Sequence, residues 1–399
     1  MMNAPIYDLI IVGGGIAGAS LATSMARHGA QVLVLERTRQ FRDRIRGEGM
    51  HSWGAAEARL LGLYDTLLET CAHEARYWAT YRGSTLVRQR DLVETTPSRA
   101  AAVNFYHPDM QEVLLRTADK AGAEVRRGAI VTEVAPGAQS SVTVAYDGTK
   151  DVVEARLVVG ADGRQSQVRR DGGFTVSRDP NHLMISGALF SQVGAPEDAV
   201  HIFVAPAYGH AALFPIGGRR FRTYFTTRRR TEHRTLSGGE SIDDFIKYCV
   251  DTGVPADWIA GSEMAGPLAS FEGADVWVDQ PYKNGVALIG DAAAANDPCF
   301  GCGLSLTLRD VRVLRDSLLA TEDWDAAAHK YAAEHDRYYG ALHSITSWLR
   351  EVRYGLGPEA DQIREHALPK LADGSGPDLV GAGPDSPADE AARIRFLGG

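Results

Sequence analysis

Between Asp8 and Glu36 the chain carries a strand, a glycine-rich turn, a helix, a second strand and an acid, in that order. The run Asp8-Leu9-Ile10-Ile11-Val12 is apolar and leads into Gly13-Gly14-Gly15-Ile16-Ala17-Gly18, after which small residues continue through Ala19, Ser20 and Ala22. Gly13 permits the tight turn, Gly15 lets the backbone approach a pyrophosphate, and Gly18 lets the helix pack close on the strand. The helix start offers unpaired N–H groups and a positive dipole to phosphates. The second strand, Gln31-Val32-Leu33-Val34-Leu35, ends at Glu36, where a carboxylate accepts hydrogen bonds from ribose hydroxyls. A bound dinucleotide follows from this order. NAD, NADP and FAD all stay open, although an acid at the second strand end disfavours a 2′-phosphate.

A chain of 399 residues, 44% hydrophobic and 23% charged, has the composition of a globular enzyme and the length for two packed domains. Its net charge of −9 repels nucleic acid and anionic membrane surfaces, so neither is an expected partner. No apolar run approaches the roughly 20 residues of a spanning helix. The N-terminus lacks a basic region followed by a cleavable apolar one. Four cysteines, Cys71, Cys249, Cys299 and Cys302, are too few and scattered for a disulfide framework, so a cytoplasmic location is expected.

After Glu36 comes a basic loop, Arg42-Asp43-Arg44-Ile45-Arg46-Gly47-Glu48-Gly49, then helical spacing through Leu60, Leu61, Leu63 and Leu67. Segment 76–106 reads as short strands, and a helix is predicted from Pro108 with Met110, Val113, Leu114 and Ala118 on one face. A β-rich section begins near Ala123 and holds the hairpin signal Asp147-Gly148. It returns through Leu157-Val158-Val159 to the turn Gly160-Ala161-Asp162-Gly163. Residues 181–279 alternate in a way that predicts an antiparallel sheet. Leu304–Leu319 and 324–354 read as helices, and the glycines and prolines from Gly374 to Pro387 predict an irregular tail.

Gly285-Val286-Ala287-Leu288-Ile289 reads as a buried strand leading into Gly290-Asp291-Ala292-Ala293, with Pro298-Cys299-Phe300-Gly301-Cys302-Gly303-Leu304 close behind. In a doubly wound sheet such strand ends gather at one crevice, where ligands bind. The Gly13–Gly18 turn with Glu36, the Gly160–Gly163 turn and the Gly290–Gly303 stretch, in this order, resemble the aromatic hydroxylase family of FAD-dependent monooxygenases, typified by para-hydroxybenzoate hydroxylase. The resemblance spans roughly residues 5–350.

It implies an α/β fold: a Rossmann-like FAD-binding domain from 1–75, 100–180 and 280–323, an inserted antiparallel β-sheet substrate domain from 76–99 and 181–279, and a C-terminal helix with an irregular tail over 324–399. The pyrophosphate then lies over Gly13, Gly15, Ile16, Ala17 and Gly18, and the ribose on Glu36 with Arg37 beside it. Arg44 and Arg46 match the family's loop arginines, and Arg46 is the better candidate for FAD contact. His107 and Gln111 fall where the family places an arginine or glutamine and a further polar residue at a helix start, and Val131 joins the cofactor set. Asp162 implies FAD and NAD(P)H contacts or support of its own turn, and Asp291 implies a ribityl contact. Pro298 joins the cofactor set, and Gly301, Cys302, Gly303 and Leu304 are expected along the pyrimidine side of the flavin, where a helix N-terminus favours the negative charge of reduced flavin.

The chemistry implied is the cofactor's own: NADH or NADPH delivers hydride, O2 adds at the flavin C4a, and the resulting hydroperoxide hydroxylates an aromatic or other electron-rich small molecule. The protein's task is to keep that site dry. His210, Phe214, Pro215, Tyr224, Phe225 and Pro298 are the candidate substrate wall, with His210 and Tyr224 the catalytic candidates. His210 is placed as the base for a phenol, with Glu48 as second choice.

Other features weigh less. Cys299-Phe300-Gly301-Cys302 has disulfide reductase spacing, but both cysteines fill variable slots and no second nucleotide motif is present, so they read as bystanders. Arg219, Arg220, Arg222, Arg228, Arg229, Arg230 and Arg234 read as a solvated basic hairpin face, or as a means of capturing NAD(P)H or an acidic substrate. Twelve histidines show no zinc or iron spacing, so no metal is expected. The reading is a single-component enzyme, monomer or homodimer. Its rivals are a reductase or dehydrogenase on the same scaffold and a flavin redox-sensing binding protein.

Overall fold

The computed structural model describes residues 7–45, 47–206, 208–229 and 235–398. Its central sheet places parallel strands in the order Val286–Leu288, Thr149–Gly160, Tyr7–Val12, Val32–Glu36 and Glu124–Arg127. Tyr7–Val12, Val32–Glu36 and Val286–Leu288 are buried almost throughout, which is why they read as continuous apolar runs, whereas Glu124–Arg127 at the edge is partly exposed. Leu9, Ile11, Val32 and Val34 point to a core shared with helices Ile16–Arg27, His107–Lys120 and Gly303–Leu319. Ile10, Val12, Leu33 and Leu35 point the opposite way, onto Val134, Val142, Val144 and Val153 of an antiparallel β layer. The hairpin in that layer turns at Asp147 and Gly148, with φ of 46° and 83°, the left-handed pair that a tight two-residue loop requires.

A second sheet runs in the order Leu183–Ser191, Phe221–Arg228, Gly209–Pro215, Ala199–Ala205, Tyr77–Arg82 and Thr85–Asp91. It differs from the antiparallel expectation at one join: Ala199–Ala205 pairs parallel with Tyr77–Arg82. These two strands come from distant parts of the chain, so no hairpin fixes their relative direction. Successive residues alternate between faces. Ile202, Ala212, Phe214 and Tyr224 turn toward a large cavity, while Phe203, Leu213, Phe221 and Phe225 pack against Phe245 and Cys249 of helix Ile242–Thr252.

The C-terminal region holds two more helices than expected, and the irregular tail is confined to residues 374–389. Helix Trp324–Tyr354 runs 31 residues from its cap, Asp323, whose Oδ1 accepts from Ala326 N at 3.0 Å. Helix Pro358–Asp373 follows, with Gly357 before it at φ 88° and Gly374 after it at φ 84°, and helix Glu390–Leu397 starts at the Asp389 cap. Proline at a first helical position and glycine just past a last one mark helix ends. Gly357, Pro358 and Gly374 are therefore helix punctuation, while the glycines and prolines from Gly376 to Pro387 lie in turns or irregular backbone.

Candidate dinucleotide site and substrate chamber

One cavity of about 1170 Å³ runs from the ends of the parallel strands to the second sheet. Gly13 sits at φ 104°, and a Cβ there would run into the Ala161 carbonyl. A Cβ on Gly18 would overlap the Gly13 carbonyl oxygen and come within 2.9 Å of Ile11 Cγ2. Gly15 differs, because its Cβ would meet only Gln111 Nε2, at 3.7 Å. Helix and strand therefore touch at Gly18, which packs without lining the cavity, while the backbone at Gly15, Ile16 and Ala17 is open to it. Glu36 is held at the second strand end, its Oε2 accepting from Gly14 N at 2.7 Å and its Oε1 from Thr38 N at 2.6 Å. Arg37, Arg44, His107, Gln111 and Val131 line the same end, and Arg46 lies outside the described residues. His107 Nδ1 is 2.9 Å from Gly47 O, which ties the helix start to the basic loop.

The Gly290 turn rests on a buried acid. Asp310 accepts from Gly290 N at 2.7 Å through Oδ2 and from the Tyr338 hydroxyl at 2.5 Å through Oδ1. This fixes Gly290 at φ 60° and leaves Asp291 on the cavity wall. Asp297 Oδ1 then accepts from Cys299 N at 3.0 Å, Gly301 turns at φ 68°, and helix Gly303–Leu319 begins at the cavity with no atom within 4 Å of where a Gly303 Cβ would stand. Pro298, Gly301, Gly303 and Leu304 line this part. Cys302 does not: its side chain is fully buried and bonds Phe300 O, because the turn at Gly301 points it into the protein. Asp162 Oδ2 accepts from Gln167 N at 2.6 Å and Val168 N at 3.2 Å, so it supports its turn, while its Oδ1 has no partner among the described residues. Bare backbone at Gly15 and Gly303, an anchored acid at Glu36 and an unmatched oxygen at Asp162 together fit an extended dinucleotide ending in a planar ring.

Beyond Gly303 the cavity becomes a chamber. His51 and Trp78 stand 5.2 Å apart between ring centroids, Trp78 and Phe214 6.5 Å, and Phe214 and Tyr224 6.1 Å, forming one aromatic wall. Pro215 and Phe225 are not part of it, since each lies one residue out of phase with the inward face. At the end of the wall the Tyr224 hydroxyl donates to Glu48 Oε2 at 2.5 Å. Arg222 Nη2 lies 3.1 Å from Glu48 Oε1 and 2.8 Å from Asp43 Oδ2. Arg222 is fully buried, contrary to the solvated face expected of its arginine cluster, because it shares the inward phase of Tyr224. Arg230 and Arg234 lie outside the described residues.

Burial pushes the Glu48 carboxyl up to about 8, against the pull of Arg222 and the Tyr224 hydrogen bond, and burial also raises Tyr224 well above its ordinary value. Burial pushes His51 down to about 4, and burial with the charge of Arg353 pushes His210 down to about 3. His210 Nδ1 bonds the Tyr354 hydroxyl, which also stands 3.3 Å from Cys299 Sγ. Leu349, Val352, Leu371 and Leu379 close this side, so the region expected to be tail supplies a wall of the chamber. Arg90 grips Asp378 through Nη1 and Nη2 at 2.5 and 2.9 Å, and Trp53 Nε1 donates to Leu379 O at 3.1 Å. A separate group, Asp179, Asp275 and His343, could approach a metal ion, but Arg350 already lies 3.5 Å from Asp179 and 2.9 Å from Asp275.

The family model described as FAD binding domain matches residues 7–338. The chain belongs to this family. FAD is its cofactor. The flavoprotein is 27% identical over 325 residues to rifampicin monooxygenase of Streptomyces venezuelae, an alignment that covers 80% of the chain and 65% of that enzyme, so it spans just under two thirds of that relative's length. It is 27% identical over 363 residues to digeranylgeranylglycerophospholipid reductase 2 of Methanopyrus kandleri, covering 83% and 82%. Its fold is that of p-nitrophenol 4-monooxygenase PnpA from Pseudomonas putida, with a TM-score of 0.78 over 94% of this chain and 95% of that one at 19% identity.

In this flavoprotein Cys299 and Cys302 are free thiols. Burial pushes Cys299 up to about 12 and raises Cys302 well above its ordinary value, the reverse of a redox-active pair. Iodoacetamide at pH 8 should leave both unmodified in the folded protein and label both once it is unfolded. Fast labelling of either in the native state would contradict the bystander role.

Proposed function

We propose that this flavoprotein is a monooxygenase that uses NADH or NADPH and O2 to hydroxylate an aromatic or other electron-rich small molecule. The observation that carries the reading is the continuity of the FAD cradle with an aromatic-walled chamber holding a carboxyl whose pKa lies near neutrality. Bound FAD, once reduced, supplies the activated oxygen. The chain's own part is to exclude water, orient a ring and move a proton. Trp78, Phe214 and the C-terminal wall do the first two. Glu48, hydrogen-bonded to Tyr224, takes the proton of a substrate hydroxyl or amine, because a base works best with its pKa near the operating pH. His210, held near 3, is the weaker base of the two.

The similarity to a digeranylgeranylglycerophospholipid reductase favours reduction of a carbon–carbon double bond as the second reading. One comparison separates them. The FAD-loaded protein is mixed with NADH or NADPH and a panel of phenols, anilines and prenyl lipids, with and without O2. Substrate-stimulated oxygen uptake with hydroxylated product is expected. Anaerobic turnover of an alkene with no oxygen uptake would replace the monooxygenase reading.

A further inference from the structure

Three two-residue strands, Ser177–Arg178, Val276–Trp277 and Ala294–Ala295, pair antiparallel into a small sheet, and their register brings Asp179, Asp275 and Asp297 together at one end of it. One face of helix Trp324–Tyr354 covers that end, because Tyr339, His343 and Arg350 recur at helical spacing. His343 Nε2 lies 2.9 Å from Asp179 Oδ2. The Arg350 guanidinium reaches all three acids: Nη1 is 3.5 Å from Asp179 Oδ2, and Nη2 is 2.9 Å from Asp275 Oδ2 and 3.3 Å from Asp297 Oδ2. The side chains of Asp275 and Asp297 are fully buried. Asp275 Oδ1 also accepts from Asn296 Nδ2 at 2.7 Å and Asp297 N at 3.2 Å, so the cluster grips the chain where the loop after Ala295 begins.

The cluster stands behind the part of the cavity lined by Pro298, Gly301, Gly303 and Leu304. Asp297 Oδ1 caps the turn Pro298–Phe300 through Cys299 N, and its other oxygen faces Arg350. The charges act on the loop itself. Beyond the effect of burial, Asp297 pushes the Cys299 thiol up while Arg353 and Arg350 pull it down, and Asp275 and Asp297 both push Cys302 up against Arg353.

Building on the reading that sets the FAD ring against this loop, we propose that Arg350 is a positioning residue that sets the reduction potential of the flavin by neutralising Asp275 and Asp297 behind it. Reduction of FAD by two electrons with one proton leaves an anion. Two buried carboxylates at the back of the loop oppose that negative charge, and a guanidinium shared between them cancels much of their field. The oxidised ring is neutral, so the effect falls on the reduced form. Arginine suits the task because its charge is permanent and its fork spans more than one carboxylate.

The test is the midpoint potential of bound FAD, titrated with dithionite against a reference dye at pH 8 and 9, above the value of about 6 to which burial pushes the Asp297 carboxyl. Affinity for oxidised FAD is followed in parallel by flavin fluorescence. Arg350→Gln should weaken binding of reduced relative to oxidised FAD by about tenfold, a midpoint about 30 mV lower for a two-electron couple. Asp297→Asn keeps an oxygen for Cys299 N and removes a negative charge, so its midpoint should rise. Arg350→Lys keeps the charge and should stay near wild type. The proposal is overturned if Arg350→Gln leaves the midpoint unmoved at both pH values, if Asp297→Asn fails to raise it, or if the Gln and Lys variants weaken both redox forms alike. Should Arg350→Gln fail to fold, as read by Tm, the sign of the Asp297→Asn shift decides. Gly303→Leu tests the placement of the ring: nothing stands within 4 Å of the Gly303 Cβ position, so the apoprotein should keep its Tm and lose FAD affinity. Full FAD affinity in Gly303→Leu would remove the ring from this loop and the proposal with it. Lost affinity there with unmoved midpoints in the other variants would sink the proposal and leave the FAD site standing. The midpoints are read without substrate, so failure of the monooxygenase reading leaves them unchanged.

Discussion

Replacing Glu48 by glutamine should lower kcat by about 10²–10⁴-fold while FAD remains bound, the range expected when a positioned acid–base group is lost. Glutamine keeps the shape and can still accept from Tyr224, and Arg222 keeps Asp43, so the chamber is preserved. What disappears is the titration. With the carboxyl raised to about 8, the fraction able to take a proton grows as pH rises toward 8, so kcat/KM of the wild type should climb through that region. Glu48→Gln should flatten this limb. Stability moves the other way: the folded pKa lies above the unfolded one, so the native state holds the proton more tightly and stability falls as pH rises from about 4.5 to 8. Melting curves across that window should show a smaller fall in the variant. An unaltered pH profile in Glu48→Gln would assign the proton transfer elsewhere.

Local chemistry made the dinucleotide cradle readable from the chain, because the Gly13, Gly15 and Gly18 requirements act within a few residues of each other. The supports of that cradle were not readable. Asp310 reaches Gly290 across 20 residues, and an acid within an amphipathic helix carries no mark of the amide it will meet. Of the six wall candidates, Pro215 and Phe225 were misplaced through pleat phase. Phe214 and Tyr224 face the chamber while Pro215 and Phe225, their neighbours, face the other core, and alternation gives the period of a strand without saying which face is inward. The phase of Tyr224 also decides Arg222, two residues away on the same face. A signal was present there, an arginine alternating with Tyr224 and Thr226, but clustered arginines read as surface. In the tail, Gly357, Pro358 and Gly374 bound a helix whose apolar side completes the chamber.

Gly18→Ala should cost the protein both stability and cofactor, against the ordinary preference of helices for alanine. In an exposed helix interior this exchange gains about 1 kcal/mol. Here the added methyl meets the Gly13 carbonyl oxygen and Ile11 Cγ2, atoms of the turn and first strand that have no room to retreat. Overpacking of this kind costs about 1–3 kcal/mol and outweighs the propensity gain. To relieve it, helix Ile16–Arg27 must move off the strand, carrying the N–H groups at its start away from the pyrophosphate. The expected result is a lower Tm in the apoprotein and protein that purifies without flavin. Gly15→Ala is the matched control, since its Cβ meets only the end of the Gln111 side chain at 3.7 Å and projects into the cavity. That variant should keep the apoprotein Tm and lose FAD affinity alone. If Gly18→Ala instead retains native Tm and full flavin occupancy, the close helix–strand contact is not what holds the cradle in shape.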